Sequence, residues 1–182
     1  MAVRIAPLSL VDPRAQLADD VEIGPFCVVG PDVIIGPGTR LDGHVQLQGH
    51  VELGVGNRIF PHVVIGGEPQ DLSYRGEPTS VVIGDRNVIR EGVTINRGTI
   101  KEQGRTIIGN DCFLMANAHI AHDCRVGNRV VIANGTLLAG HVHVHDDAAL
   151  SGGVGVHHFT TIGGYSFVAG MSRVLQDVPP YM

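Results

Sequence analysis

The stretch AHIAHDC sets His119, His122 and Asp123 within a few residues of one another, and these side-chain types can do chemistry together. An imidazole that titrates near neutrality can take a proton from a hydroxyl, and a neighbouring carboxylate can orient that ring. Neutral imidazole is also the commonest metal ligand. A third reading is plain: polar residues on a solvated edge. Which applies depends on the elements that position the three side chains.

The composition is unusual for a globular core. Among 182 residues there are 25 Gly, no Trp and 4% aromatics. A net charge of −5, from 13 basic and 18 acidic residues, excludes the clustered positive footprint of a nucleic-acid binder. No stretch has the length of a signal-peptide core or a membrane span, so a soluble, cytoplasmic protein is expected.

Aliphatic residues recur at every sixth position, a period belonging to neither a helix nor a lone strand. The ladder runs Ile5, Val11, Leu17, Ile23, Val29, Ile35, Leu41, Leu47, Leu53, Ile59 and Ile65, and resumes at Ile83, Ile89 and Ile95. From Ile108 it continues through Leu114, Ile120, Val126, Ile132, Leu138, Val144, Leu150, Val156, Ile162, Val168 and Val174. Gly often follows the rung, and a small or β-branched residue stands two places before it. Cys27, Cys112 and Cys124 fall in that inward slot and read as buried thiols rather than a disulfide or zinc set. Two breaks, at about 66–82 and 97–106, read as loops inserted in a solenoid.

This pattern is similar to that of the hexapeptide-repeat family. The resemblance implies an all-β, left-handed parallel β-helix of triangular section, with each hexad forming one side and three hexads one coil. About nine coils and two inserted loops are expected.

Coil arithmetic then brings distant residues together. Ile65, Ile95, Ile120, Leu138, Val156 and Val174 fall in one column, with neighbours about 4.8 Å apart. His158 therefore stands over Gly140, and Gly140 over His122. His141 stands over Asp123, with His157 nearby, and both loops leave the helix from this column. Five of the ten histidines gather on this edge. His143 and His145 read as ordinary edge residues.

The runs GGEPQDLSYRGEPT, IGDRNVIREGVTINRGT, AHIAHDCRVGNR, LLAGHVHV and QDVPPYM together resemble the acyl-carrier-protein-dependent UDP-N-acetylglucosamine O-acyltransferases of lipid A synthesis. The resemblance implies transfer of a 3-hydroxyacyl chain from acyl carrier protein to the sugar 3-hydroxyl. It casts His122 as general base, Asp123 as its partner and the Gly140 N–H as donor to the oxyanion. Gln70, Asp71, His119, His141 and His157 match positions that hold the sugar nucleotide or complete the site. Asn96 stands where the family has His, and His158 where it has Gln; both are counted with the substrate-binding set. Phe167 and Gly170 lie where the family runs its acyl chain.

The resemblance further implies a homotrimer with sites between prisms, acyl carrier protein and UDP-N-acetylglucosamine as partners, and no cofactor or metal. Family members continue past the PPY motif into a helical domain. Here a single β-helix domain over 1–182, with no second domain, is expected. Three other readings remain open at this point: a related sugar acyl- or acetyltransferase, a zinc-dependent protein similar to the gamma-class carbonic anhydrases, and a non-catalytic trimeric scaffold.

Overall fold

In the computed structural model, which describes residues 2–182, the hexads become strands of two to four residues. Among the described residues there are twenty-six strands and no helix. They form three all-parallel sheets of nine, nine and eight strands, the faces of a prism wound as a left-handed parallel β-helix. Ile5 pairs with Ile23, and Ile23 with Leu41, so each rung lies under the rung three hexads later. The second sheet carries the column from Val11 to Val174 and is the site sheet below.

Side chains alternate in and out along each strand. The rungs point inward, and Ile35, Leu41, Leu47, Ile59, Ile65, Ile95, Ile120 and Ile132 are all essentially inaccessible. The slot two residues earlier also points in and takes Val21, Val33, Val45, Val63 and the three cysteines. A prism this narrow accepts aliphatic rungs and small fillers, which accounts for the missing Trp. The Cys124 thiol donates to the Ala139 carbonyl at 3.1 Å, and burial pushes it up to about 12. All three cysteines are free and buried, as the inward slot requires.

The residue after a rung is often Gly because coils touch there. A Cβ on Gly36 would stand 2.5 Å from the Gly54 carbonyl oxygen. At the corners the backbone turns through the left-handed region, and non-glycine residues accept it as well, among them Asp123 (φ 61), His141 (φ 64) and Phe159 (φ 62). Asp and His tolerate this region better than most residues.

The loops are slightly shorter than the sequence suggests. The strand Val64–Gly67 carries pairing past the last rung to Asn96, and Ser80–Ile83 pairs along its full length with both neighbours, leaving 68–79 as the first loop. The second, 97–104, links Thr94–Asn96 to Arg105–Ile108. Both spring from the end of the site sheet.

Candidate active site

His119, Leu137, Gly155 and Arg173 are the outward residues of four successive strands in the site sheet. With the corner residues that follow and Gln70 from the first loop, they line a cleft of about 480 Å³. His122, Gly140, His157 and His158 form its corner wall. Six of the residues singled out from the sequence thus meet in one place: Gln70, His119, His122, Gly140, His157 and His158.

His122 is 5% exposed, and its Nδ1 lies 2.9 Å from Oδ2 of the fully buried Asp123. The Asp123 carboxylate also accepts the Thr99 N–H at 2.8 Å and the Thr99 hydroxyl at 2.7 Å. Its own N–H donates to the Thr106 hydroxyl at 2.9 Å. Burial opposes the charge on Asp123, but the hydrogen bonds from His122 and Thr99 outweigh it and hold the carboxyl below the ordinary range. An ionised carboxylate only accepts, so His122 Nδ1 carries the proton and Nε2 keeps a free lone pair.

Gly140 makes room for that ring. A Cβ there would stand 2.5 Å from Cε1 and 2.7 Å from Nε2 of His122. Any side chain would displace the imidazole, so glycine is required by contact rather than by backbone angle. The Gly140 N–H sits two residues after a rung, a slot whose amide the regular coil ladder does not need: Pro13 and Pro31 occupy it earlier in this column. Among the described residues no hydrogen bond takes up the Gly140 N–H. A free donor and a free base nitrogen therefore share one corner of the cleft.

The remaining residues have other positions. His141 is buried behind His122, edge to face at 5.1 Å and 87°, and stacks on Phe159 at 4.4 Å and 11°. His119 bonds the Thr94 hydroxyl through Nδ1 at 2.7 Å, and burial first, with repulsion from His122 whenever that ring is protonated, keeps it below the ordinary imidazole value. His158 is shifted the same way by burial and by His157.

Asp71 lies outside the cleft lining, paired with Lys101 of the second loop at 2.5 Å, which holds its carboxyl well below the usual range. Asn96 lies beneath the first loop, its Nδ2 donating to the Glu68 carbonyl at 2.8 Å. Beside it the Arg97 guanidinium donates to the Gly66 carbonyl at 2.5 Å and the Tyr74 hydroxyl at 2.9 Å. Asn96 and Arg97 thus anchor the first loop, and Asp71 ties it to the second. Phe167 is an exposed outward residue of the neighbouring sheet, and Gly170 lies at the corner leading into Arg173.

His122, Asp123 and His141 offer donor atoms within 4.8 Å of one another. A cation there would displace the His122 Nδ1 proton and the Thr99 hydroxyl, and the group is two imidazoles and a carboxylate rather than three histidines. Nothing in the repeat pattern marks Thr99, Thr106 and Glu102, which bond Asp123 and His141, or Phe159, which stacks on His141. Leu137, Arg173 and Leu175 in the cleft wall go unmarked too. Leu137 and Arg173 were accessible to the coil arithmetic, since they stand in register with His119. The loop residues were not, because an insertion has no period.

Fold and site together define a class, a hexapeptide-repeat transferase with a histidine–carboxylate pair in a groove. Residues 105–140 match the bacterial transferase hexapeptide (six repeats) family. The acyl-(acyl-carrier-protein)–UDP-N-acetylglucosamine O-acyltransferase of Stenotrophomonas maltophilia is 49% identical over 99% of this chain and 68% of its own length. That of Anaeromyxobacter sp. is 51% identical over 71% of this chain, and the match spans half the length of that relative. The crystal structure of Francisella novicida UDP-N-acetylglucosamine acyltransferase superposes with a TM-score of 0.97 at 46% identity, covering 98% of this chain and 65% of that one. The chain belongs to the family of acyl-carrier-protein-dependent UDP-N-acetylglucosamine O-acyltransferases.

Proposed function

We propose that the protein transfers a 3-hydroxyacyl group from acyl carrier protein to the 3-hydroxyl of UDP-N-acetylglucosamine, the first step of lipid A synthesis, in the cytoplasm. The observation that carries this reading is the His122 ring, held by Asp123 on one side and seated on Gly140 on the other. His122 Nε2 takes the proton as the sugar oxygen attacks the thioester carbonyl carbon. The carbonyl oxygen gains the negative charge and accepts the Gly140 N–H, a type of interaction worth about 3 kcal/mol in related chemistry. The C–S bond then breaks, and the imidazolium returns the proton to the leaving thiolate. Asp123 stabilises the imidazolium while it lasts.

Gln70, His119, His157 and His158 would contact the sugar nucleotide, a role supported by their sharing the cleft with the base. Asp71 and Asn96 serve that set by fixing the first loop. Phe167 and Gly170 are proposed to bound the acyl chain. Leu137 and Leu175 in the cleft wall, and Phe159 where it stacks on His141, are each more than half exposed. A homotrimer in which a neighbouring prism covers them would exclude water from the transfer, and sedimentation analysis should give three times the chain mass.

Incubation with a 3-hydroxyacyl carrier protein and UDP-N-acetylglucosamine tests the reading. Mass spectrometry should find the O-acylated nucleotide sugar and one free carrier thiol per product. Lack of product with these substrates, or equal use of acyl-coenzyme A, would overturn the assignment of acceptor or donor.

A further inference from the structure

The second loop reaches the site at three points within one short segment. Thr99 binds Asp123, Lys101 binds Asp71, and an Oε1 of Glu102 lies 2.8 Å from Nδ1 of His141. The last contact joins residues 39 apart in sequence, neither of which lines the cleft. His141 in turn supports the catalytic pair: it meets the His122 ring edge to face, and its Nε2 is 3.7 Å from Asp123 Oδ2.

We propose that Glu102 is a positioning residue for the transfer reaction, setting the tautomer and ring orientation of His141 and, through that ring, the seat of His122. The proposal rests on the function proposed above and adds a residue to its machinery. Stacking on Phe159 fixes the plane of the His141 ring but not which edge faces which neighbour, because a ring flipped within its plane stacks equally well. A hydrogen bond at one nitrogen is what decides where the proton of an imidazole resides. A carboxylate at Nδ1 accepts only, so Nδ1 carries the proton and Nε2 is turned toward Asp123. His122 touches Gly140 on one side and His141 on the other. Gly140 is backbone and Asp123, which bonds His122 Nδ1, is itself held by Thr99, leaving His141 as the support whose orientation Glu102 sets.

The test compares the Glu102→Ala and Glu102→Gln variants of the full chain. It uses ring nitrogen–proton NMR spectra of His141 in the free protein, with kcat and KM for both substrates. In the wild type His141 should be protonated at Nδ1. Glu102→Ala should give mixed tautomers and a kcat about tenfold lower, with KM changed less than about twofold. Glu102→Gln keeps an acceptor oxygen and should restore both. A wild-type His141 protonated at Nε2 alone, or a Glu102→Ala enzyme with wild-type kcat, would overturn the proposal. Should the wild type act on other substrates, the spectra still decide: an unchanged His141 signal in Glu102→Ala contradicts the role whatever the reaction is.

Discussion

At the corner after the third sheet, the amides of Val55, Asp85, Asn110 and Asn128 donate to side-chain oxygens of Asp85, Asn110, Asn128 and Asp146, each from the coil above, at 2.7 to 2.9 Å. At the corner after the site sheet, the equivalent amides of His122 and Gly140 have no such partner among the described residues. Both corners have the same backbone, and both slots follow a rung by two residues. The difference lies only in the side chain above: an Asn or Asp caps the slot at one corner, whereas Gly140 over His122 leaves space at the other. The coil tolerates either outcome because these amides lie outside its ladder hydrogen bonds, as the slot prolines indicate. A repeat built for stacking thus leaves the amides of His122 and Gly140 available for chemistry.

Substitutions at the two corners should separate activity from stability. His122→Ala should lower kcat/KM by about 10³-fold or more, with the unfolding midpoint little changed, measured by steady-state kinetics beside thermal melts. Gly140→Ala forces the His122 ring off its seat and should cost about 10²-fold in the same assay, also with a folded protein. At the capped corner Asn128→Ala removes the acceptor of the Asn110 N–H and should reduce unfolding free energy by about 1 kcal/mol in denaturant titrations. Its turnover per folded molecule should be unchanged. An inactive but stable Asn128→Ala protein would break the distinction.

The smallest effect concerns pH. His119 is held by burial below the ordinary imidazole value of 6.5, so the unfolded chain binds its proton more tightly than the folded one. Stability should therefore fall as pH drops below about 6.5 and level off above it. The slope should be shallower in His119→Gln, followed by unfolding midpoints between pH 5 and 8.

Much of this architecture is legible in the sequence because a solenoid converts sequence distance into space by fixed steps. Counting hexads puts Gly140 over His122 and His158 over Gly140, and the structure keeps that register. Legibility ends where the period does. Nothing in the hexads says that Thr99 and Glu102 fold back onto Asp123 and His141, since loop closure follows contacts rather than phase. For the same reason Asn96 and Asp71 could be grouped with the cleft by proximity but not assigned to loop anchoring. Phe159 stands in register over His141, yet the ring stacking depends on side-chain planes that spacing alone leaves open.

Amide hydrogen exchange in the free protein and with both substrates or the product bound tests the central comparison most directly, since it reports on the slot amides themselves. Slow exchange is expected at Asp85, Asn110 and Asn128 in both states. Gly140 should exchange fast in the free protein and become protected only when the acyl carbonyl occupies the cleft. A Gly140 amide as protected as that of Asn128 before ligand is added, or one unaffected by ligand, would contradict it.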